Sequence, residues 1–106
     1  LEKARFILQT RPISIDGPAQ ATLDTLFIGI LQSLPPPLQN VTWGREYLET
    51  LFHEFVGSNG IKFGQLAAPL RAALAGRKAS PSVYDMMVLL GRDETIARIK
   101  DAIAGR

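Results

Sequence analysis

Arg71 lies in the run Leu66-Ala67-Ala68-Pro69-Leu70-Arg71-Ala72-Ala73-Leu74-Ala75, where helical spacing gives it Ala67, Ala68, Leu74 and Ala75 as neighbours. None of these is acidic, so the guanidinium has no ion-pair partner along its own helix. A planar fork of donors left uncommitted suits stacking on a nucleobase or bonding to a base edge or phosphate; the plainer alternative is a solvated surface arginine. A second element follows closely. Gly76 ends the helix, Arg77 and Lys78 lead on, and Ser80-Pro81-Ser82-Val83 reads as a new helix start with Ser80 as cap and Pro81 in the first position. The free N–H groups and partial positive charge of a first helical turn suit an acceptor oxygen. Every helix start has them, so the weight comes from the basic loop alongside. Between Glu54 and Asp85 the chain has no acid, while Lys62, Arg71, Arg77 and Lys78 fall there, an excess of four positive charges in a chain of net charge only +2.

Other chemistries find no support. Cysteine is absent, which removes disulfides, thiolate metal sites and cysteine nucleophiles and suits a reducing cytoplasm. The sole histidine, His53, shares a helix face with Glu49, and a metal or general base needs a larger convergent set. His53 therefore reads as a surface residue, and no metal or cofactor is expected here. The sequence has no paired carboxylates, glycine-rich phosphate loop or triad pattern, so catalytic residues are not expected either. Met86, Met87 and Trp43 read as core or anchor residues rather than as a binding groove or stacking platform.

At 106 residues the chain is the size of one domain with a single core, and although 46% of it is apolar, no stretch is long enough to span a membrane. Apolar residues recur at helical spacing throughout and never in sustained alternation, which predicts an all-α fold of about six helices. The first covers about residues 1 to 9. The second runs from Pro18 to about Ser33, burying Leu23, Leu26, Phe27, Ile30, Leu31 and Leu34 on one stripe. Pro35, Pro36 and Pro37 then predict an extended polyproline spacer. Thr42 caps a third helix to about Val56, with Trp43, Tyr47, Leu48, Leu51, Phe52 and Phe55 on its apolar side. Gly57 to Gly60 end it and divide the chain into two small halves, 1–57 and 60–106. Phe63, Leu66, Leu70 and Leu74 trace a fourth helix, with a bend or fresh start at Pro69. The helix opened by Ser80 and Pro81 buries Val83, Met86, Met87 and Leu90, and the last, from about Asp93 to Ala104, buries Ile96, Ile99 and Ile103.

The run Gly60-Ile61-Lys62-Phe63-Gly64-Gln65-Leu66-Ala67-Ala68-Pro69-Leu70-Arg71-Ala72-Ala73-Leu74-Ala75-Gly76 is followed by Ser80-Pro81-Ser82-Val83-Tyr84 and Leu89-Leu90-Gly91-Arg92-Asp93-Glu94-Thr95. Together these resemble the C-terminal end of bacterial glutamyl-tRNA synthetases. The likeness is close from Gly60 to Ala104 and looser before it. It implies the α-helical anticodon-binding domain of a class I aminoacyl-tRNA synthetase, cut from a longer protein. The ATP- and Mg-dependent catalytic domain that ligates glutamate to tRNA would lie upstream. The resemblance further implies that Arg71 contacts an anticodon base of tRNA-Glu and that Ser80, Pro81, Ser82 and Val83 shape the pocket for it; the basic loop read above adds Arg77 and Lys78 as expected phosphate contacts. Many relatives carry Gln where this chain has Ala68, which implies a missing polar contact and looser reading of one anticodon position. A cytoplasmic monomer with no membrane contact is expected. The competing expectation, a helical protein-interaction module without RNA binding, requires an exposed apolar stripe.

Overall fold

The computed structural model describes Ile13, Ile15, Gly17, Ala21, Leu23, residues 25–76 and residues 82–104. Among them regular structure is helical throughout: α1 (Thr25–Leu31), α2 (Pro35–Asn40), α3 (Arg45–Ser58), α4 (Phe63–Ala75), α5 (Val83–Leu90) and α6 (Arg92–Ala104). The expected helix over residues 1 to 9 and the helix start at Pro18 lie outside the described residues. α6 is the common support, packing against α4, α2 and α5, while α3 lies on α5 and α4.

The three prolines form a helix, not the extended spacer expected. Pro35, Pro36 and Pro37 occupy the first three helical positions, whose N–H groups have no partner inside a helix in any case. The first intrahelical bond comes from the next residue, Leu38 N–H to the Leu34 carbonyl at 3.1 Å, so the prolines remove no bond from the ladder. Burial of Pro35 and Leu38 against the core outweighs the local preference for extended backbone before proline. Leu26 is also misplaced by the periodicity. It is 63% exposed, while Leu23, Ile30, Leu31 and Leu34 are buried, because it lies roughly 140° from Leu31 around the helix, on the flank of the buried stripe.

Thr42 does not cap α3. The N-cap is Gly44, with extended φ of −170°, because tertiary bonds hold the preceding residues straight. Trp43 Nε1 donates to the Met87 carbonyl at 2.9 Å, and Arg92 donates to the Val41 carbonyl. α3 continues to Ser58, two residues past Val56, and ends in a Schellman arrangement. Gly60 takes φ of 66°, its N–H reaches the Gly57 carbonyl, and Ile61 N–H reaches the Val56 carbonyl at 3.1 Å. Tyr47, expected on the apolar side, is 55% exposed.

α4 runs unbroken through Pro69. The missing N–H of Pro69 deprives the Gln65 carbonyl of its helical partner, at an exposed residue that water reaches. Alanine-rich sequence on either side favours the helix strongly enough to carry it across. Leu66, Leu70 and Leu74 are fully buried and Phe63 is partly so. Its ring stacks on Tyr84 at 5.3 Å, and both pack edge-on against Phe52, joining α3, α4 and α5 in one aromatic cluster. Met86, Met87, Ile96 and Ile99 complete the core.

Gly91 closes α5 and opens α6 in one residue: its N–H bonds the Met87 carbonyl and its own carbonyl accepts from Thr95. Its φ of 84° and ψ of 167° belong to a region open essentially to glycine, although a Cβ there would meet nothing within 4 Å. Gly91→Ala should therefore cost about 1–3 kcal/mol of unfolding free energy through backbone strain alone. Gly57→Ala, at a helical site with equally open space, should instead stabilise by about 0.5–1 kcal/mol. Urea denaturation of both variants checks this; equal effects would contradict the conformational account.

Candidate nucleic-acid interface

Three features place Arg71. Its helix is fixed at the N-terminal end, where Lys62 N–H donates to Gln65 Oε1 at 2.9 Å and Phe63 stacks on Tyr84. It is terminated by Gly76, which adopts φ of 76° and donates its N–H to the Ala72 carbonyl. Between these ends the apolar face is sunk into the core, leaving Gly64 and Gln65 exposed and Ala68 and Arg71 half-buried one turn apart. Ala68 and Arg71 thus form a small ledge at the surface of α4.

The Arg71 Nε is buried and has no hydrogen-bond partner among the described residues. A buried donor left unpaired costs about 1–3 kcal/mol, a cost that the described residues do not offset. Arg92 makes an instructive comparison, because its Nε is also buried and unpaired. There the guanidinium is already committed to the fold: it lies over the Trp43 ring at 5.5 Å and bonds the Val41 carbonyl. Arg71 has no comparable commitment among the described residues.

α5 starts at Val83 with Ser82 as its N-cap, two residues later than the expected start at Pro81 with Ser80 as cap. Ser82 is half-buried and Val83 only 1% exposed. The Val83 side chain is therefore part of the core and not of the surface. Ser80, Pro81, Arg77 and Lys78 lie outside the described residues. The flanking positions are well anchored: Tyr84 sits in the aromatic cluster, and Asp85 pairs with Arg45, which also bonds Glu49.

Arg98 escaped the sequence reading. Thr95, Ile96, Ile99 and Ala102 line the inner face of α6, and Arg98 lies among them at 1% exposure. Its Nε donates to Glu94 Oε2 at 2.8 Å, and a terminal nitrogen donates to the Leu74 carbonyl in the last turn of α4 at 2.7 Å. The available signal was an acid and an arginine four residues apart, flanked at helical spacing by the small residues Thr95 and Ala102. Trp43 and the two methionines are the anchor and core residues expected. His53 is exposed on α3, and no group of three His, Cys, Asp or Glu stands together among the described residues. No helix of the described residues is long and apolar enough to cross a membrane. An open groove of about 500 Å³ between α2 and α6, with Pro35, Pro36, Lys100 and Ile103 in its wall, shares no residue with the Arg71 ledge.

Burial raises the Tyr84 phenol above the ordinary tyrosine value of 10.0, with Glu49 adding to the shift and Arg45 opposing it. The folded state then holds this proton more tightly than the unfolded chain. Stability is intact below the unfolded phenol value and declines as pH rises past it towards the folded one. In a Tyr47→Phe variant, which leaves Tyr84 as the one tyrosine of the chain, phenolate absorbance should appear at higher pH in native protein than in urea-unfolded protein. Coincident titrations would show that Tyr84 is not sheltered.

Residues 1–103 match the family model described as an anticodon binding domain. A glutamate–tRNA ligase of Ruegeria pomeroyi is 57% identical over 102 residues, covering 96% of this chain and 22% of the relative. Another from Cereibacter sphaeroides is 55% identical over 104 residues, covering 98% of this chain and again 22% of the relative. This chain thus spans about a fifth of the length of the curated relatives it matches. The crystal structure of a glutamate tRNA ligase from Elizabethkingia meningosepticum, in complex with its amino acid, superposes with a TM-score of 0.87 at 26% identity, over 97% of this chain and 20% of that one.

Proposed function

Because this chain belongs to the anticodon-binding domain family, we propose that it reads the anticodon of tRNA-Glu as the C-terminal part of a glutamate–tRNA ligase. The observation that carries the reading is the buried Nε of Arg71, without a hydrogen-bond partner among the described residues, beside Ala68 on α4. In this proposal the Arg71 fork bonds or stacks on an anticodon base. Ser80, Pro81 and Ser82 border that base, and Val83 offers its N–H at the positive end of α5. Arg77 and Lys78 neutralise neighbouring phosphates. With Ala68 at the edge of the ledge, one base position is met by a methyl group and read loosely.

ATP and Mg²⁺ are assigned to an upstream catalytic domain. The residues of this chain do not fit them, since the sequence has no phosphate-binding loop and the described residues have no carboxylate cluster. The chain's contribution to ligation is to hold the far end of the tRNA, so that the acceptor end meets the catalytic site. A single domain spanning 1–106, acting in the cytoplasm within a monomeric ligase, completes the proposal.

Base readers and phosphate binders separate experimentally. In the full-length ligase, Arg71→Ala should cost about 1–3 kcal/mol in kcat/KM for cognate tRNA and much less for an anticodon-altered tRNA. Arg77→Ala or Lys78→Ala should weaken both about equally and flatten the salt dependence of binding. Equal losses on both tRNAs for Arg71→Ala, or no loss on either, would remove Arg71 from the reading site.

A further inference from the structure

We propose that Arg98 is a positioning residue for anticodon discrimination, acting on Arg71 through the C-terminal turn of α4. The proposal rests on the anticodon reading above and adds a residue that touches no RNA. Arg98 uses two directions of its guanidinium at once, Nε towards Glu94 in its own helix and a terminal nitrogen towards the Leu74 carbonyl of α4. Leu74 is three residues past Arg71 and two before Gly76, where the chain leaves the helix. Its carbonyl belongs to the last turn, which lacks partners further along the helix and carries partial negative charge. The buried cation therefore ties α6 to the one turn that sets both the base of Arg71 and the direction of the chain at Gly76.

Stability alone does not call for an arginine here. A buried ion pair is often no better than apolar residues of similar volume, because desolvation offsets the attraction. The surroundings, with Ile96, Ile99 and Leu74 buried, would accommodate a methionine. What a guanidinium adds is directional: hydrogen bonds at fixed angles, among them those of 2.8 Å to Glu94 and 2.7 Å to the Leu74 carbonyl, that lock the register of α4 against α6. A lysine lacks this geometry, because a single ammonium on a flexible stem does not reproduce the two arms of the planar fork.

The test compares kcat/KM on cognate and anticodon-altered tRNA in the full-length ligase for wild type, Arg71→Ala, Arg98→Met and the double variant, with thermal melts to establish folding. Arg98→Met should fold and lose about fivefold of the discrimination ratio, through a raised KM for cognate tRNA with kcat unchanged. The double variant should discriminate no worse than Arg71→Ala, because Arg98 works through Arg71. Arg98→Lys should show an intermediate loss. Full discrimination by folded Arg98→Met, alongside its loss in Arg71→Ala, would leave Arg98 a purely structural residue and overturn this proposal alone. If wild type itself does not discriminate, the anticodon reading fails and this inference with it. Should Arg98→Met not fold, Glu94→Gln keeps an acceptor while loosening the fork, and the same ratio is read there: a smaller loss supports the positioning role, and an unchanged ratio overturns it.

Discussion

The helix that carries Arg71 is held at both ends by groups from other helices, and its middle is sunk in the core. At one end Phe63 stacks on Tyr84 of α5; at the other the Arg98 guanidinium of α6 grips the Leu74 carbonyl. Between them Leu66, Leu70 and Leu74 are fully buried. Such a helix cannot rotate or slide without breaking contacts at three places, so the side chains on its outer face have fixed positions. In the proposed reading, preorganisation of this kind is what would let one arginine discriminate between bases rather than merely attract phosphate.

Small residues make the arrangement possible. Ala67, Ala72, Ala73 and Ala75 let α4 come close to its neighbours, and their high helix propensity helps to offset the hydrogen bond lost at Pro69. A close-packed inner face also explains how the Arg71 Nε comes to be buried although the residue as a whole is only half-buried. The donor nearest the stem is shielded from water, with no acceptor among the described residues. The same logic places Thr95 and Ala102 around Arg98, where larger residues would leave no room for a guanidinium.

Much of this was legible in the sequence, and the failures have physical causes. Helical periodicity located α3, α4, α5 and α6, and the glycines at 60, 76 and 91 marked their ends because each takes positive φ. The lack of an acid near Arg71 on its own helix agrees with an Nε that has no partner among the described residues. Pro35 to Pro37 were misread because local sterics favour extended backbone there, whereas the burial of Leu38 decides in favour of a first helical turn. Thr42 failed as a cap because Trp43 and Arg92 hold its neighbourhood extended through bonds to residues distant in sequence. Arg98 was missed because a charged residue on a helix is ordinarily solvated, and the tertiary position of the Leu74 carbonyl, which sequence does not show, helps to make its burial favourable.

The account stands on Arg71 being the point where RNA meets this chain, and nitrogen-15 NMR of the Arg71 Nε–H during titration with the tRNA-Glu anticodon stem-loop tests it most directly. The account predicts that this resonance shifts as the exposed end of the guanidinium engages the RNA, while the Arg92 Nε–H stays in place. An unmoved Arg71 resonance, with shifts gathered instead around the exposed Tyr47, Val88 and Leu89, would contradict it.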